Sequence, residues 1–227
     1  MKRQIPNIIT LANLICGTLI IISAFQLKFV NVAYFAVAAL LFDFLDGTAA
    51  RLLNVSSAIG KELDSMADMV SFGAAPALVL YCYWTNEMVD QPFNYFPLLI
   101  AAFSGYRLAK FNISEQSNDY FSGLPTPALA LGAFALPLAA EQFEMANIWL
   151  THPAFVVIFS VLGGVLLVSN LKLFSIKLGS KNKALNVIRI VMLVCGLLLI
   201  GWLHFFGAFL CLILYLAFSL SSQKHIT

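Results

Sequence analysis

Residues 43–68 read DFLDGTAARLLNVSSAIGKELDSMAD. They put Asp43, Asp46, Asp64 and Asp68 within apolar runs long enough to cross a membrane. One carboxylate in the hydrocarbon region costs about 2.5–3.5 kcal/mol on insertion scales, so four of them demand compensation. Asp43 and Asp46 are three residues apart, and Asp64 and Asp68 four apart, so each pair shares a helical face. A short turn over residues 54–59 joins the two helices as an antiparallel pair, and both carboxylate faces can meet inside the bundle. Two divalent cations would balance four carboxylates, and hard oxygen ligands favour Mg²⁺ or Mn²⁺, with Ca²⁺ as a further occupant. Two such ions about 3.5–4 Å apart are a device for clamping a phosphoryl group during in-line displacement.

The residues between the acids extend this reading. Gly47 and Ala50 are small enough for a bulky ligand to approach, Arg51 offers a fork to phosphate oxygens, and Gly60 opens the next helix one turn before Asp64. Together they describe a metal-diphosphate pocket. A set of structural charges is one alternative, but only Arg51 and Lys61 are local bases. An ion pathway, as in a divalent-cation transporter, is the other. That alternative does not need Gly47, Ala50 and Arg51 at their positions.

Composition sets the frame. The 227 residues are 61% hydrophobic and 11% charged, with a mean hydropathy of +0.89. Soluble domains carry about 25% charged residues, so the sequence predicts an all-α, polytopic transmembrane bundle forming one membrane-embedded domain over 1–227. A net charge of +2 gives no argument for nucleic acid. Cys16, Cys82, Cys195 and Cys211 have no C-x-x-C spacing and read as small buried hydrophobes. His152, His204 and His225 lie far apart, which argues against a histidine metal site. Lys2 and Arg3 precede an apolar run that resembles a secretory signal. That run is long, and Asn7, Thr10 and Asn13 interrupt its start, so it reads as a retained first span.

Eight apolar runs are expected to span, at roughly 8–26, 30–53, 60–85, 94–112, 124–143, 153–172, 184–202 and 204–221. The last two leave almost no loop and form a tight hairpin or one bent segment. Eight spans put both termini on one side. That side receives Lys2, Arg3, Arg51, Lys61, Arg107, Lys110, Lys172, Lys177, Lys181, Lys183, Arg189 and Lys224, while the other receives only Lys28 among the basic residues. The excess of basic residues marks the cytoplasmic side. The expectation is a multi-pass protein of the inner membrane whose aspartates face the cytoplasm. The basic stretch from Lys172 to Arg189 reads as a topology signal that can also attract anionic lipid.

The pattern D-x-x-D-G-x-x-A-R, eight residues, then G-x-x-x-D-x-x-x-D resembles the signature of the CDP-alcohol phosphatidyltransferase family. Asp43, Asp46, Gly47, Ala50, Arg51, Gly60, Asp64 and Asp68 fill it without departure. Four further stretches resemble the bacterial integral-membrane branch of that family that makes phosphatidylserine: PNIITLANLICG at 6–17, DSMADMVSFGAAPA at 64–77, RLAKFN at 107–112 and FSGLPTPA at 121–128. The resemblance covers roughly the first 130 residues. It implies a membrane-embedded helical enzyme, usually a homodimer, that uses CDP-diacylglycerol and L-serine to give phosphatidylserine and CMP.

It also implies that Asp43, Asp46, Asp64 and Asp68 bind two divalent ions, Mg²⁺ or Mn²⁺. Asp68, which ends the motif and can contact both a metal and the incoming hydroxyl, is our choice of general base. Nucleotide and CDP-lipid contacts fall to Asp46, Gly47, Ala50, Arg51 and Gly60. Asn7, Thr10 and Asn13 form a polar stripe on the first helix. The stripe either hydrogen-bonds a neighbouring helix or reaches the cytidine diphosphate. Arg107, Lys110 and Asn112 are candidates for serine, with Arg107 the best partner for its carboxylate. Arg107 and Lys110 can alternatively be anchors snorkelling to headgroups. Residues 123–127 either shape the pocket wall or start a helix with proline in its first turn. Sibling enzymes acting on glycerol 3-phosphate, inositol phosphate or archaeal-lipid acceptors share the eight-position motif.

Overall fold

Long apolar runs with few charges leave backbone groups no partner but their own chain, and such runs become helices. The computed structural model describes residues 4–55, 57–88, 91–113, 120–174 and 183–221. Helix α1 (Gln4–Phe25) and α2 (Phe29–Leu52) form an antiparallel pair. After a turn, α3 (Ala58–Asp68), a π-helical turn (Met69–Ala74) and α4 (Ala75–Glu87) run on as one span. A short 3₁₀ turn (Pro92–Tyr95) precedes α5 (Leu98–Ile113). Then come α6 (Thr126–Gln142), the short α7 (Glu144–Leu150), α8 (Pro153–Val168) and α9 (Lys183–Ser221).

On α1, Ile8, Leu11, Ile15 and Ile22 face outward, while Thr10, Asn13, Gly17 and Ile20 are buried. An apolar outer stripe and a partly polar inner one are what a bundle in lipid requires, the reverse of a soluble helix. Helix α6 is the inner post. Its Ala130, Gly132, Ala133, Ala135, Ala139 and Ala140 are buried, and such small residues let neighbouring backbones approach closely.

Among the described residues, four helical stretches are long and apolar enough to span by themselves: Gln4–Phe25, Phe29–Leu52, Ala58–Glu87 and Asn186–Ser221. Helices α7 and α8 qualify as a pair bent by 68°. The short α7 was not expected. It hangs from α4, where Tyr83 Oη donates to Asn147 Oδ1 at 2.9 Å and Trp84 Nε1 donates to the Leu150 carbonyl at 3.0 Å. The chain is thus a helical membrane protein.

Two details depart from the sequence expectation. Strands β1 (Tyr120–Ser122) and β2 (Lys172–Phe174) pair antiparallel, with Phe121 opposite Leu173, so the described residues are not purely helical. The run expected to span 153–172 therefore ends as helix at Val168. Gly123 lets the chain leave β1 sharply. Its φ is +78°, and a side chain there would collide with the Leu167 carbonyl. Pro125 and Pro127 then flank the start of α6, so the 123–127 stretch is a helix start.

Helix α9 breaks at His204, where φ is 46° and ψ −117°. A side chain on Gly207 would strike the Leu199 carbonyl, and the Cys211 thiol donates to the Gly196 carbonyl at 3.7 Å. Residues 196 and 211, like 199 and 207, face one another, so the two halves of α9 fold back as a hairpin. Arg189, expected in a basic topology loop, is buried in this hairpin at 1% exposure, and its Nη1 donates to Asn186 Oδ1 at 3.2 Å. Residues 114–119 and 175–182, with Lys2, Arg3 and Lys224, lie outside the described residues.

Candidate active site

The turn between α2 and α3 decides where the acids meet. Ser57 caps α3, its Oγ accepting from the Gly60 amide at 2.9 Å. A serine oxygen at this position satisfies one of the free amides of a helix start. The cap fixes α3 so that Asp64 and Asp68 face α2. One oxygen from each of Asp43, Asp64 and Asp68 then lies within 4.8 Å of the others, and all three residues are half-buried.

Asp46 is turned differently from the other three. It is buried, and its Oδ2 accepts from Thr10 Oγ1 at 2.7 Å. The same hydroxyl lies 3.0 Å from the Pro6 carbonyl, so its single proton is shared between the two oxygens. The expected foursome is therefore a trio, with a fourth carboxylate held by α1 yet within electrostatic reach of its neighbours.

Beside the trio opens a cavity of about 210 Å³. Its walls include Asn7, Thr10, Asp46, Gly47, Ala50, Gly60 and Asp64. Six of the eight positions proposed for the CDP-lipid line this one space. A β-carbon added to Gly47 would meet nothing within 4 Å, so this wall is open. Pro6, Val55, Ser57 and Lys61 also line it. Val55 and Ser57 were missed because the 53–57 turn carries no periodic signal; Pro6 and Lys61 entered the sequence reading only as part of the 6–17 stretch and as a local base. The Ser57 cap, three residues before Gly60, was the available clue.

Two of the proposed nucleotide residues lie elsewhere. Asn13 is fully buried behind Thr10, and its carbonyl accepts from Ser71 Oγ at 3.0 Å. Neither side-chain polar atom of Asn13 has a hydrogen-bond partner. Arg51 is exposed and folds back along α2, with Nε donating to the Gly47 carbonyl at 3.0 Å.

The proposed serine residues also separate. Arg107 is buried at 8% exposure, donates from Nη1 to Thr126 Oγ1 at 3.3 Å, and lies 5.8 Å from the centre of the Phe111 ring. It is within electrostatic reach of Asp68. Lys110 reaches away, donating to Asn170 Oδ1 at 2.9 Å. Asn112 ties α5 to α3: its Nδ2 donates to Ser65 Oγ at 2.8 Å, and its carbonyl accepts from Lys61 Nζ at 2.9 Å.

The carboxylate trio fits a hard divalent cation. Three oxygens can converge, and Asp68 Oδ1 is buried with no hydrogen-bond partner. An anionic oxygen left bare inside a protein is costly, and a cation is the partner such an oxygen suits. The site can thus hold metal beside a cavity with small-residue walls and one lysine.

Known proteins resemble this chain in sequence. A model of the CDP-alcohol phosphatidyltransferase family matches residues 3–166. The chain is 34% identical over 194 residues to the CDP-diacylglycerol–serine O-phosphatidyltransferase of Helicobacter pylori, covering 83% of this chain and 79% of that one. It is 39% identical over 127 residues to the Bacillus subtilis protein of the same name, covering 55% of this chain and 70% of that one. It is 42% identical over 112 residues to the Saccharomyces cerevisiae protein of that name, covering 44% and 39%. A motif filled at all eight positions, a cavity built from most of them and a match over most of the chain lead to one statement: this chain belongs to the CDP-alcohol phosphatidyltransferase family.

Proposed function

We propose that the chain transfers the phosphatidyl group of CDP-diacylglycerol to L-serine, giving phosphatidylserine and CMP. The observation that carries this is the junction of the carboxylate trio, the cavity beside it and the buried Arg107. The names of the relatives support serine as the acceptor.

In this reading the CDP end of the lipid lies in the cavity along Asn7, Thr10, Gly47, Ala50 and Gly60, and Arg51 swings from its resting bond to reach phosphate. Asp43, Asp64 and Asp68, with Asp46 next to them, hold two divalent ions, Mg²⁺ or Mn²⁺. When bound, these supply the positive charge that stabilises the diphosphate and the departing CMP. Arg107 takes the serine carboxylate through its fork. Asp68 accepts the proton of the serine hydroxyl. The serine oxygen forms a bond to the phosphorus that carries the diacylglycerol, and the bridging phosphorus–oxygen bond to CMP breaks. Ser57 Oγ caps α3 and Ser65 Oγ donates to the Lys61 carbonyl, so neither is set in a nucleophile-base arrangement and transfer is direct.

We read the aspartate end as cytoplasmic and the membrane as the inner one. The basic residues Arg51, Lys61, Lys110 and Lys172 at that end support this. The α9 hairpin supports eight spans with both termini on the same side. A single domain and a homodimer belong to the same reading by family resemblance.

The test offers purified protein CDP-diacylglycerol with serine, glycerol 3-phosphate or inositol phosphate, and identifies the lipid formed. Phosphatidylserine is expected. A different lipid with no serine product would reassign the chain to a sibling activity.

A further inference from the structure

The family match ends at residue 166, yet the last helix brings polar groups to the site. Beyond the hairpin turn, Leu212, Tyr215 and Ser219 are all buried, at 8%, 4% and 0% exposure. Their spacing puts them on one inward face. That face packs on α6. A β-carbon on Gly132 would meet Leu212 Cδ2 at 2.8 Å, and the Phe143 and Phe206 rings lie 5.8 Å apart at the other end. The two helices therefore run antiparallel. From Gly132 back to Thr126 and from Leu212 on to Ser219 are similar rises at about 1.5 Å per residue. Ser219 thus arrives beside the start of α6, where Thr126 holds Arg107, with Tyr215 one turn before it on the same face. The Tyr215 phenol and the Arg107 guanidinium are within electrostatic reach of each other.

A buried phenol needs polar neighbours for its hydroxyl, and those of Tyr215 are Ser219 and Arg107. We infer that Tyr215 is a positioning residue of the acceptor site: with Thr126 it holds the Arg107 guanidinium in the orientation that receives the acceptor's anionic group. The inference rests on the reading of Arg107 as the acceptor-binding cation. It gives the C-terminal hairpin, which the shared motif does not reach, a part in acceptor choice.

The experiment compares wild type with Tyr215→Phe, which keeps the ring and its packing. KM for serine should rise about tenfold, the scale of one lost polar contact to a charged group. KM for CDP-diacylglycerol and kcat should change less than twofold. In an Arg107→Lys background the same substitution should add less than twofold to the serine KM, because the group it positions is gone. An unchanged serine KM, or a parallel loss for both substrates together with a lower melting temperature, would overturn the inference. If wild type makes no lipid from serine, the proposed function fails instead. The Tyr215→Phe comparison is then made with the acceptor that is used, and the same two outcomes decide it.

Discussion

At the level of single residues, the bare oxygen of Asp68 and the bonded oxygen of Asp46 predict different mutant behaviour. Asp68→Asn keeps the volume and removes the anion. It should leave the protein folded, with serine-dependent CMP release lowered by about 10²–10⁴-fold, the usual worth of a general base. Near-normal turnover would remove Asp68 from that role. Thr10→Val strips the 2.7 Å bond from a buried carboxylate. Hydrogen bonds to charged groups are worth about 1.5–3 kcal/mol, so KM for CDP-diacylglycerol should rise about tenfold or more while the serine KM holds. Steady-state kinetics in mixed micelles separate the two constants. The aspartate pairs were legible because i, i+3 and i, i+4 spacings are local. The direction of Asp46 was not. Three residues rotate a helix by about 300°, so Asp46 sits about 60° round from Asp43 and meets α1 instead of α3. The same drift, about 120° over two steps, carries Asn13 from the cavity that Asn7 lines into the core against Ser71.

Among the elements, the C-terminal hairpin is the one whose form depends on a single close approach. Gly207 lies against the Leu199 carbonyl with no room for a β-carbon. Gly207→Val should splay the hairpin and cost about 1–3 kcal/mol, the range for overpacking. The checks are a lower melting temperature in detergent and faster proteolysis. Because Tyr215 rides on the same helix, the serine KM should worsen before the CDP-diacylglycerol KM does. The hairpin was one of two forms allowed by the near absence of a loop at Gly201–His204, and close contact across the turn chose between them. The β1–β2 pair was invisible beforehand. Three-residue strands from distant parts of the chain have no periodicity of their own and exist only because α5, α6 and α8 bring them together.

For the whole molecule, the acids, the cavity and the basic residues gather at one end of the bundle, while Tyr83, Trp84 and α7 close the other. Chelation of divalent cations should abolish turnover, and Mg²⁺ or Mn²⁺ should restore it. Binding to the folded state alone stabilises by about 2.7 kcal/mol at a hundred times Kd. The ions should therefore raise the melting temperature of wild type and leave an Asp64→Asn, Asp68→Asn double variant unmoved. Reporters fused to the two termini should both signal from the cytoplasm. Opposite signals would break the eight-span topology.

The order of residues was enough to establish that the chain is a helical membrane protein, that four carboxylates must be compensated near one membrane face, and which family the eight-position pattern belongs to. These follow from composition and short-range spacing, which a helix converts into geometry almost without context. The tertiary structure alone decided that Asp43, Asp64 and Asp68 converge while Asp46 is held by Thr10, and that Lys110 and Asn112 bond to other helices while Arg107 is buried beside Thr126. It also decided that the last hairpin packs on α6, with Leu212 against Gly132. Each of these depends on how one helix is rotated against another, and that angle is set by small residues and close contacts many positions away in the chain.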